Sequence, residues 1–438
     1  NHSEAKIIIV SCRDFLNKFL LVEKNLKFLK KIIFLGKATP DLQEILKEKL
    51  ISWETLFENQ LPENQKTSQP ANQTTSPDDI CSIIYTSGTT GTPKGVMISH
   101  RNFLSNVRAV NKAVPVRTSD IFLSFMPLSH VLERMAGYYT PLLSGSTIAY
   151  AESAKQLPFN LKEIKPTILI SVPRIFEKFD DAILDKVIKG KPLNKKIFFW
   201  AIKQKKGTLK YKIAEHLVFK KIRKQLGGRI RLAISGGASL NKKIAKFFYD
   251  LGVVVLEGYG LTETSPVVSV NLEENFKFGT VGKVLDGVEV KISEDKEILV
   301  KGPNVTRGYY KNQEETKLAF NRDNWFCTGD LGFIDKDGFL TIIGRKKEMI
   351  ISSYGKNVWP EPIENLLNKD KYIVNSMVAG NNRKFISALI VPDWDEVKDF
   401  LKANKLSLQE PEKLVKNPRI RKLFEERMEK YAAATSNG

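Results

Sequence analysis

The sequence predicts an α/β protein, with a large N-terminal domain of several subdomains built on parallel sheets, a β-rich subdomain, and a small α+β C-terminal domain. Three observations predict this. Short apolar, β-branched runs alternate with helical patterns over most of the chain, the rhythm of a mostly parallel sheet covered by helices. After about Phe278 that rhythm gives way to short strands separated by Gly and Asp turns. From Lys347 onward a smaller α/β unit begins.

Taken in order, Ile7-Ile8-Ile9-Val10 and Ile32-Ile33-Phe34-Leu35 read as buried strands of a parallel sheet, and residues 42–50 as a helical pattern. A polar stretch rich in Gln, Asn, Ser, Thr and Pro, residues 62–79, reads as a surface loop or linker. Apolar runs at 80–85, 167–172, 230–235 and 253–257 read as strands between helices. Turns at Asp286-Gly287, Lys301-Gly302 and residues 335–338 mark the β-rich part.

The chain has 438 residues, 42% of them hydrophobic, which is ample for buried cores of two or three domains. No stretch of about 18 uninterrupted apolar residues exists, which excludes a spanning helix, and the β-branched start does not read as a signal peptide. Cys12, Cys81 and Cys327 are far apart, with no CxxC pair, and fit buried thiols in a reducing compartment rather than a disulfide or zinc framework. A cytoplasmic location follows as the expectation.

The 69 Lys and Arg against 49 Asp and Glu give a net charge of +20. This surplus is concentrated. Residues 186–231 hold sixteen Lys and Arg against one acid, Glu215. Leu209, Ile213 and Leu217, then Val218, Ile222 and Leu226, recur at helical spacing there, beside Ile197-Phe198-Phe199-Trp200. A basic amphipathic helix with aromatic anchors suits an anionic membrane surface, peripheral on its inner face, while a solvated lysine-rich insertion is the plainer reading. No nucleic-acid motif accompanies the charge, so no nucleic-acid partner is expected.

The most informative segment is the run from the strand Ile83-Ile84-Tyr85 through Thr86-Ser87-Gly88-Thr89-Thr90-Gly91-Thr92-Pro93-Lys94-Gly95. Glycines let backbone N–H groups approach an anion, hydroxyls add donors, and the lysine adds a point charge. Gly95 stands where a Walker loop needs Ser or Thr after its lysine, so a P-loop nucleotidase is disfavoured. Further on come Ser235-Gly236-Gly237-Ala238, Gly258-Tyr259-Gly260-Leu261-Thr262-Glu263-Thr264, Thr328-Gly329-Asp330, Gly344-Arg345-Lys346-Lys347-Glu348 and Gly355-Lys356-Asn357.

This ordered set resembles the adenylate-forming superfamily of acyl-CoA synthetases, luciferases and peptide-synthetase adenylation domains. The resemblance implies that the loop, with Thr86, Ser87, Gly88, Thr89, Thr90, Gly91 and Lys94, cradles the phosphates of ATP, and that Thr86 and Glu263 hold Mg2+. It implies that Tyr259 stacks on adenine beside Gly236, Gly237, Ala238 and Gly260, that Thr262 reaches the α-phosphate, and that Asp330 accepts the ribose hydroxyls with Arg345 adding charge. Lys347 takes the hinge position of a mobile C-terminal domain, and Lys356 lies in a loop that swings toward the site. Residues 324–332 and the stretches Pro127-Leu128-Ser129-His130-Val131-Leu132-Glu133-Arg134 and Ser171-Val172-Pro173-Arg174 are similar to the long-chain fatty-acyl branch, in which His130 would line the acyl or carboxylate end of the pocket.

The resemblance implies a long-chain fatty acid–CoA ligase using ATP, Mg2+ and coenzyme A, with Thr86, Glu263, His130 and Lys347 as its catalytic residues. It further implies a segment before Ile7 and another after Gly438, the latter bearing a catalytic lysine, so that the C-terminal domain is incomplete here and adenylation by this chain is weak or absent, with nucleotide binding retained. A catalytically impaired protein that holds nucleotide or acyl-adenylate, and a ligase that loads carrier-protein phosphopantetheine, stay open as alternatives.

Overall fold

A computed structural model describes residues 2–36, 39–53, 74–86, 92–404, 406 and 410–435. The chain forms two compact units, residues 1–100 with 307–313, and residues 101–306 with 314–438.

In the first unit, β1 (Ile7–Val10), β2 (Lys31–Phe34) and β3 (Leu50–Ser52) form a parallel sheet in that order. Helices Arg13–Leu20 and Pro40–Leu46 supply Leu16, Phe19, Leu42 and Leu46, which pack on Val10, Ile32 and Phe34. The parallel pairing is as the sequence predicts, but burial on both faces is not. Ile7 and Ile9 are exposed while Val10 is buried, so β1 covers one face only. The helical pattern at 42–50 ends at Leu46, passes through a 3₁₀ turn, and becomes β3 at Leu50.

β4 (Ile80–Thr86) and β5 (Lys94–Ser99) pair antiparallel, with Thr86 opposite Lys94. The run at 80–85 is therefore one arm of a hairpin rather than a strand of a parallel sheet. Residues 307–313 extend this hairpin. Tyr310 N donates to Gly95 O at 2.7 Å and Met97 N to Gly308 O at 3.1 Å.

The second unit is built on seven strands ordered β12-β11-β10-β9-β8-β6-β7, with β6 (Ile121–Ser124), β7 (Thr147–Tyr150), β8 (Ile168–Ser171), β9 (Leu232–Ser235), β10 (Val255–Gly260), β11 (Val267–Val270) and β12 (Lys283–Val284). The pairs joining β7, β6, β8, β9 and β10 are parallel, and β11 and β12 add antiparallel at the edge. Short, β-branched runs buried on both faces account for the parallel part. Leu169, Ala233 and Val255 pack against Leu157, Leu161, Phe176, Ile244 and Phe248 from the covering helices.

β13 (Glu289–Ile292), β14 (Glu297–Lys301), β15 (Phe326–Ile334) and β16 (Leu340–Arg345) form the expected β-rich part, a four-stranded antiparallel sheet. After it come two antiparallel pairs, β17 (Ile350–Ile351) with β18 (Asn357–Val358) and β19 (Ile373–Ala379) with β20 (Ser387–Pro392), and helices Pro360–Leu367, Trp394–Ala403 and Pro418–Thr435. Their apolar faces meet in clusters around Tyr372, Val397 and Leu401, and around Ile350, Leu367 and Ile373.

The basic segment divides its apolar residues between inside and outside. Phe198, Ala201, Ala214, Phe219 and Leu226 are buried. Leu209, Ile213 and Leu217 are 75%, 46% and 47% exposed, a stripe facing solvent. Two of its arginines are internal struts. Arg231 pairs with buried Asp120 at 2.5 Å, and Arg223 holds Glu215 and the Leu251 carbonyl. Among the described residues no helix is long and apolar enough to cross a membrane. Cys12 and Cys81 are exposed, against the expectation of buried thiols.

Candidate functional site

Parallel sheets leave their ligand crevices outside the carboxyl ends of the strands, where loops rather than helices meet the edge. Here those ends carry the glycine motifs. β9 ends at Ser235, and Gly236 N donates to Ser171 O at the neighbouring strand end, 3.1 Å away. Gly236 is buried against Leu132, while Gly237 turns at φ +82° and is exposed, as is Ala238. Asn241 then caps helix Lys242–Asp250, its side chain accepting from Lys243 N at 2.9 Å.

β10 ends in Gly258-Tyr259-Gly260. A Cβ on Gly260 would stand 1.8 Å from the Pro266 carbonyl oxygen, so only glycine fits where β10 turns back into β11. Thr262, Glu263 and Thr264 form a single 3₁₀ turn. It is pinned by Asn304 Nδ2 on Thr264 O at 2.9 Å and Thr306 N on Glu263 O at 2.8 Å.

Asp330 and Arg345 face each other across β15 and β16. The Asp330 carboxylate, 4% exposed, accepts from Tyr259 Oη at 2.6 Å and from Arg345 Nε at 2.8 Å. Burial pushes this carboxyl above its ordinary value, and Arg345 and the Tyr259 hydroxyl pull it back. Burial and the neighbouring Asp330 push the Tyr259 phenol well above its own. The result is a buried acceptor ringed by an aromatic ring, a guanidinium and a glycine turn. The Tyr259 ring also packs on Val268, Ile298, Val300 and Leu340, so its position is set by the core of the antiparallel sheet.

Gly344 leads into the Lys346–Glu348 turn, and a Cβ there would lie 2.4 Å from Trp359 Cδ1. Lys346 is held by Asp295 at 2.5 Å and Glu297 at 2.8 Å, and Glu297 also accepts from Gly329 N. Lys347 is exposed on the turn, and Lys356 lies at the tip of the β17–β18 hairpin, closed by Ser352 N on Lys356 O at 2.9 Å. Helix Pro360–Leu367 touches the loop after β9, where Ser239 Oγ donates to Glu361 Oε1 at 2.8 Å.

The structure therefore brings Tyr259, Asp330 and Arg345 together, with Gly260 and Thr262 following on the same strand end. Thr86 and Lys94 sit in the first unit, at the mouth of its hairpin, where the Lys94 ammonium lies 5.4 Å from the Tyr309 ring centre. Ser87, Gly88, Thr89, Thr90 and Gly91 lie outside the described residues. His130 is exposed, and its Nδ1 accepts from Leu132 N at 3.3 Å.

Two acids near these motifs were not singled out by sequence reasoning. Glu257 is 6% exposed and Glu133 1% exposed, and burial pushes each carboxyl up to about 7. The sequence signal was there in both cases: an isolated acid in an apolar stretch, Val253-Val254-Val255-Leu256-Glu257 and Val131-Leu132-Glu133.

Residues 1–310 match the family model described as AMP-binding enzyme, and residues 347–418 match that of the AMP-binding enzyme C-terminal domain. The long-chain-fatty-acid–CoA ligase FadD15 of Mycobacterium tuberculosis is 37% identical over 346 residues, 74% of this chain and 56% of the relative. The Xenopus laevis long-chain-fatty-acid–CoA ligase ACSBG2 is 33% identical over 88% of this chain and 55% of its own length. Long chain acyl-CoA synthetase 6 (peroxisomal) of Arabidopsis thaliana is 31% identical over 96% of this chain and 63% of its own. The chain thus spans a little over half the length of the curated relatives it matches.

Among solved structures, the anthranilate CoA ligase AuaEII with anthranoyl-AMP superposes with a TM-score of 0.65 at 20% identity, over 93% of this chain and 73% of that one. The o-succinylbenzoate CoA synthetase MenE of Bacillus subtilis with its acyl-adenylate intermediate gives 0.65 at 20%, over 91% of this chain and 81% of that one. They share its fold. The glycine-bounded strand ends, the buried Asp330 cluster and the match over residues 1–310 agree, and the chain belongs to the AMP-binding enzyme family, as its motif order implies.

Proposed function

We propose that the protein is an ATP-dependent long-chain fatty acid–CoA ligase. What supports this reading above all is the 31–37% identity to three such ligases along 74–96% of the chain. In the first half-reaction a carboxylate oxygen attacks the α-phosphorus of ATP and the bond to pyrophosphate breaks, leaving acyl-AMP. In the second, a CoA thiolate attacks the acyl carbon and AMP leaves. Both steps depend on positioning and on neutralising a crowded polyanion.

In this reading Asp330 accepts from the ribose hydroxyls, an acceptor-only group for two donors. Arg345 holds Asp330 in place and adds positive charge near the sugar. Tyr259, Gly260 and the 236–238 backbone line the adenine, Thr262 contacts the α-phosphate, and the 86–94 loop takes the β- and γ-phosphates through N–H groups, hydroxyls and Lys94. The hydroxyl of Thr86 and the carboxylate of Glu263 are hard oxygen donors of the kind Mg2+ prefers and would hold it, where it would offset phosphate charge. His130 lines the acyl or carboxylate end of the pocket. Residues 345–347, with Lys347 at the hinge position, form the hinge between residues 1–344 and 348–438, and Lys356 travels with the smaller part.

Whatever ATP–pyrophosphate exchange the protein supports should be driven by palmitate-like acids. Exchange driven only by amino acids or aryl acids would sink the substrate class, and a carrier-protein acceptor outcompeting CoA in the second step would redirect the thiol.

The basic segment supports an anionic lipid surface as a further partner, because its exposed Leu209–Ile213–Leu217 stripe lies among Lys210, Lys212, Lys220 and Lys221. Vesicles containing phosphatidylglycerol should carry the protein upward in flotation, pure phosphatidylcholine should not, and serine at the three stripe positions should abolish the effect. No flotation at low salt would retire this partner.

A further inference from the structure

We infer that Glu257 is a positioning residue for the nucleotide, a buried carboxylate that locks the loop after β9 onto the end of β10. The inference rests on the reading that residues 236–238 and Tyr259 line the adenine. Those two walls come from different strands, and among the described residues the backbone ladder fixes the loop no further than Gly236. Glu257 supplies that link. It lies two residues before Tyr259, and its Oε2 accepts from Leu240 N, two residues after Ala238, at 3.2 Å. The Gly279 N–H, on the approach to β12, also favours its ionised form. One side chain thus ties the loop after β9 to the end of β10 behind the adenine walls.

The surroundings make the link depend on the ionisation of this one group. Glu257 sits opposite Ser235 in the β9–β10 register, and the Ser235 hydroxyl is buried without a partner. Burial raises the Glu257 carboxyl to about 7, and the two N–H donors lower it; no charged side chain among the described residues adds to the shift. The charged groups on the flanking elements are Lys242, whose stem is 3.6 Å from where a Cβ would stand on Gly279, and Glu361, which meets the loop at Ser239. Two N–H donors favour the carboxylate over the acid. Ionised Glu257 therefore grips the Leu240 N–H more tightly than the neutral form, and the loop after β9 firms as pH rises through neutrality. Glutamine has the neutral form's shape and cannot make this change.

The experiment is titration calorimetry of AMP with the wild type and Glu257→Gln between pH 5.5 and 8.5. AMP's own ionisation is common to both proteins, so the ratio of the two affinities isolates Glu257. The ratio should be near one at pH 5.5 and ~10-fold in favour of wild type at pH 8.5, the size expected for strengthening a hydrogen bond to a charged group. Glu257→Asp should keep the pH dependence at weaker affinity, which a residue serving only as a strut would not do, and it also covers the case of a glutamine variant that fails to fold. A ratio that stays constant across the range, or an aspartate variant with no pH dependence, overturns the inference while leaving the nucleotide site in place. Absence of AMP binding by the wild type at every pH would instead overturn the site reading beneath it.

Discussion

Asp330→Ala should weaken AMP binding by ~100-fold or more, because hydrogen bonds to an ionised group are worth about 1.5–3 kcal/mol each and two ribose hydroxyls would lose theirs. The buried position amplifies the effect. Asp330 is 4% exposed and is the common partner of Tyr259 Oη and Arg345 Nε. Removing it orphans a half-buried phenol and leaves Arg345 without its anchor, so the walls of the site lose their register as well as their acceptor. Asp330→Asn separates these consequences. The amide keeps the volume and one acceptor oxygen, so the Tyr259 contact survives while charge-assisted binding is lost, and an intermediate affinity is expected. Thermal melts of both variants report folding beside the calorimetry. AMP affinity unchanged in a folded Asp330→Ala protein would remove Asp330 from the ribose subsite.

The sequence made the site's parts visible but not their assembly. Tyr259 and Asp330 are 71 positions apart, and their contact depends on how the antiparallel sheet packs on the end of β10. No local pattern encodes that. The glycines were legible because each answers to a local backbone demand, as Gly260 does at the β10–β11 turn. Strands β8, β9 and β10 were legible because burial on both faces demands an unbroken apolar run. β4 misled for the same reason. Its apolar run looks like a buried parallel strand, yet it pairs antiparallel with β5, and pairing direction is set by the chain's return, not by hydrophobicity. In the basic segment, helical spacing identified two apolar stripes with equal clarity. Only packing reveals that Leu226 turns inward while Leu209, Ile213 and Leu217 face out. Glu133 and Glu257 escaped notice because acids are ordinarily solvated, and a single acid within an apolar run is the only mark that burial leaves in a sequence.

As pH rises from about 4.5 to about 7 the protein should lose stability, and Glu133→Gln should remove much of that loss. Glu133 is 1% exposed in the π-helical turn Glu133–Tyr139, and its Oε1 accepts from Ser124 Oγ at 2.5 Å. A Cβ on Gly137 would lie 2.6 Å from the carboxyl carbon, so the side chain fills the space that glycine leaves open. Burial pushes the group from 4.5 to about 7, and the Ser124 hydroxyl only partly offsets this. The folded value therefore lies above the unfolded one. Stability from the neutral form is complete below about pH 4.5 and drains away as pH rises through about 7. A shift of that size corresponds to about 3 kcal/mol between the two limits. Tyr150 on β7 is the titratable neighbour that senses Glu133, and it is pushed upward, chiefly by burial, so it stays neutral across the window. Glu257 and Asp180 add changes of the same sign, so Glu133→Gln should flatten the slope of unfolding free energy against pH without abolishing it, and the double glutamine variant should flatten it further. Urea unfolding at pH 5.5, 7 and 8.5 measures this. Equal slopes for wild type and Glu133→Gln would mean that water reaches the carboxyl. Gly137→Ala offers an independent check, since it should destabilise strongly only if the carboxyl occupies that space.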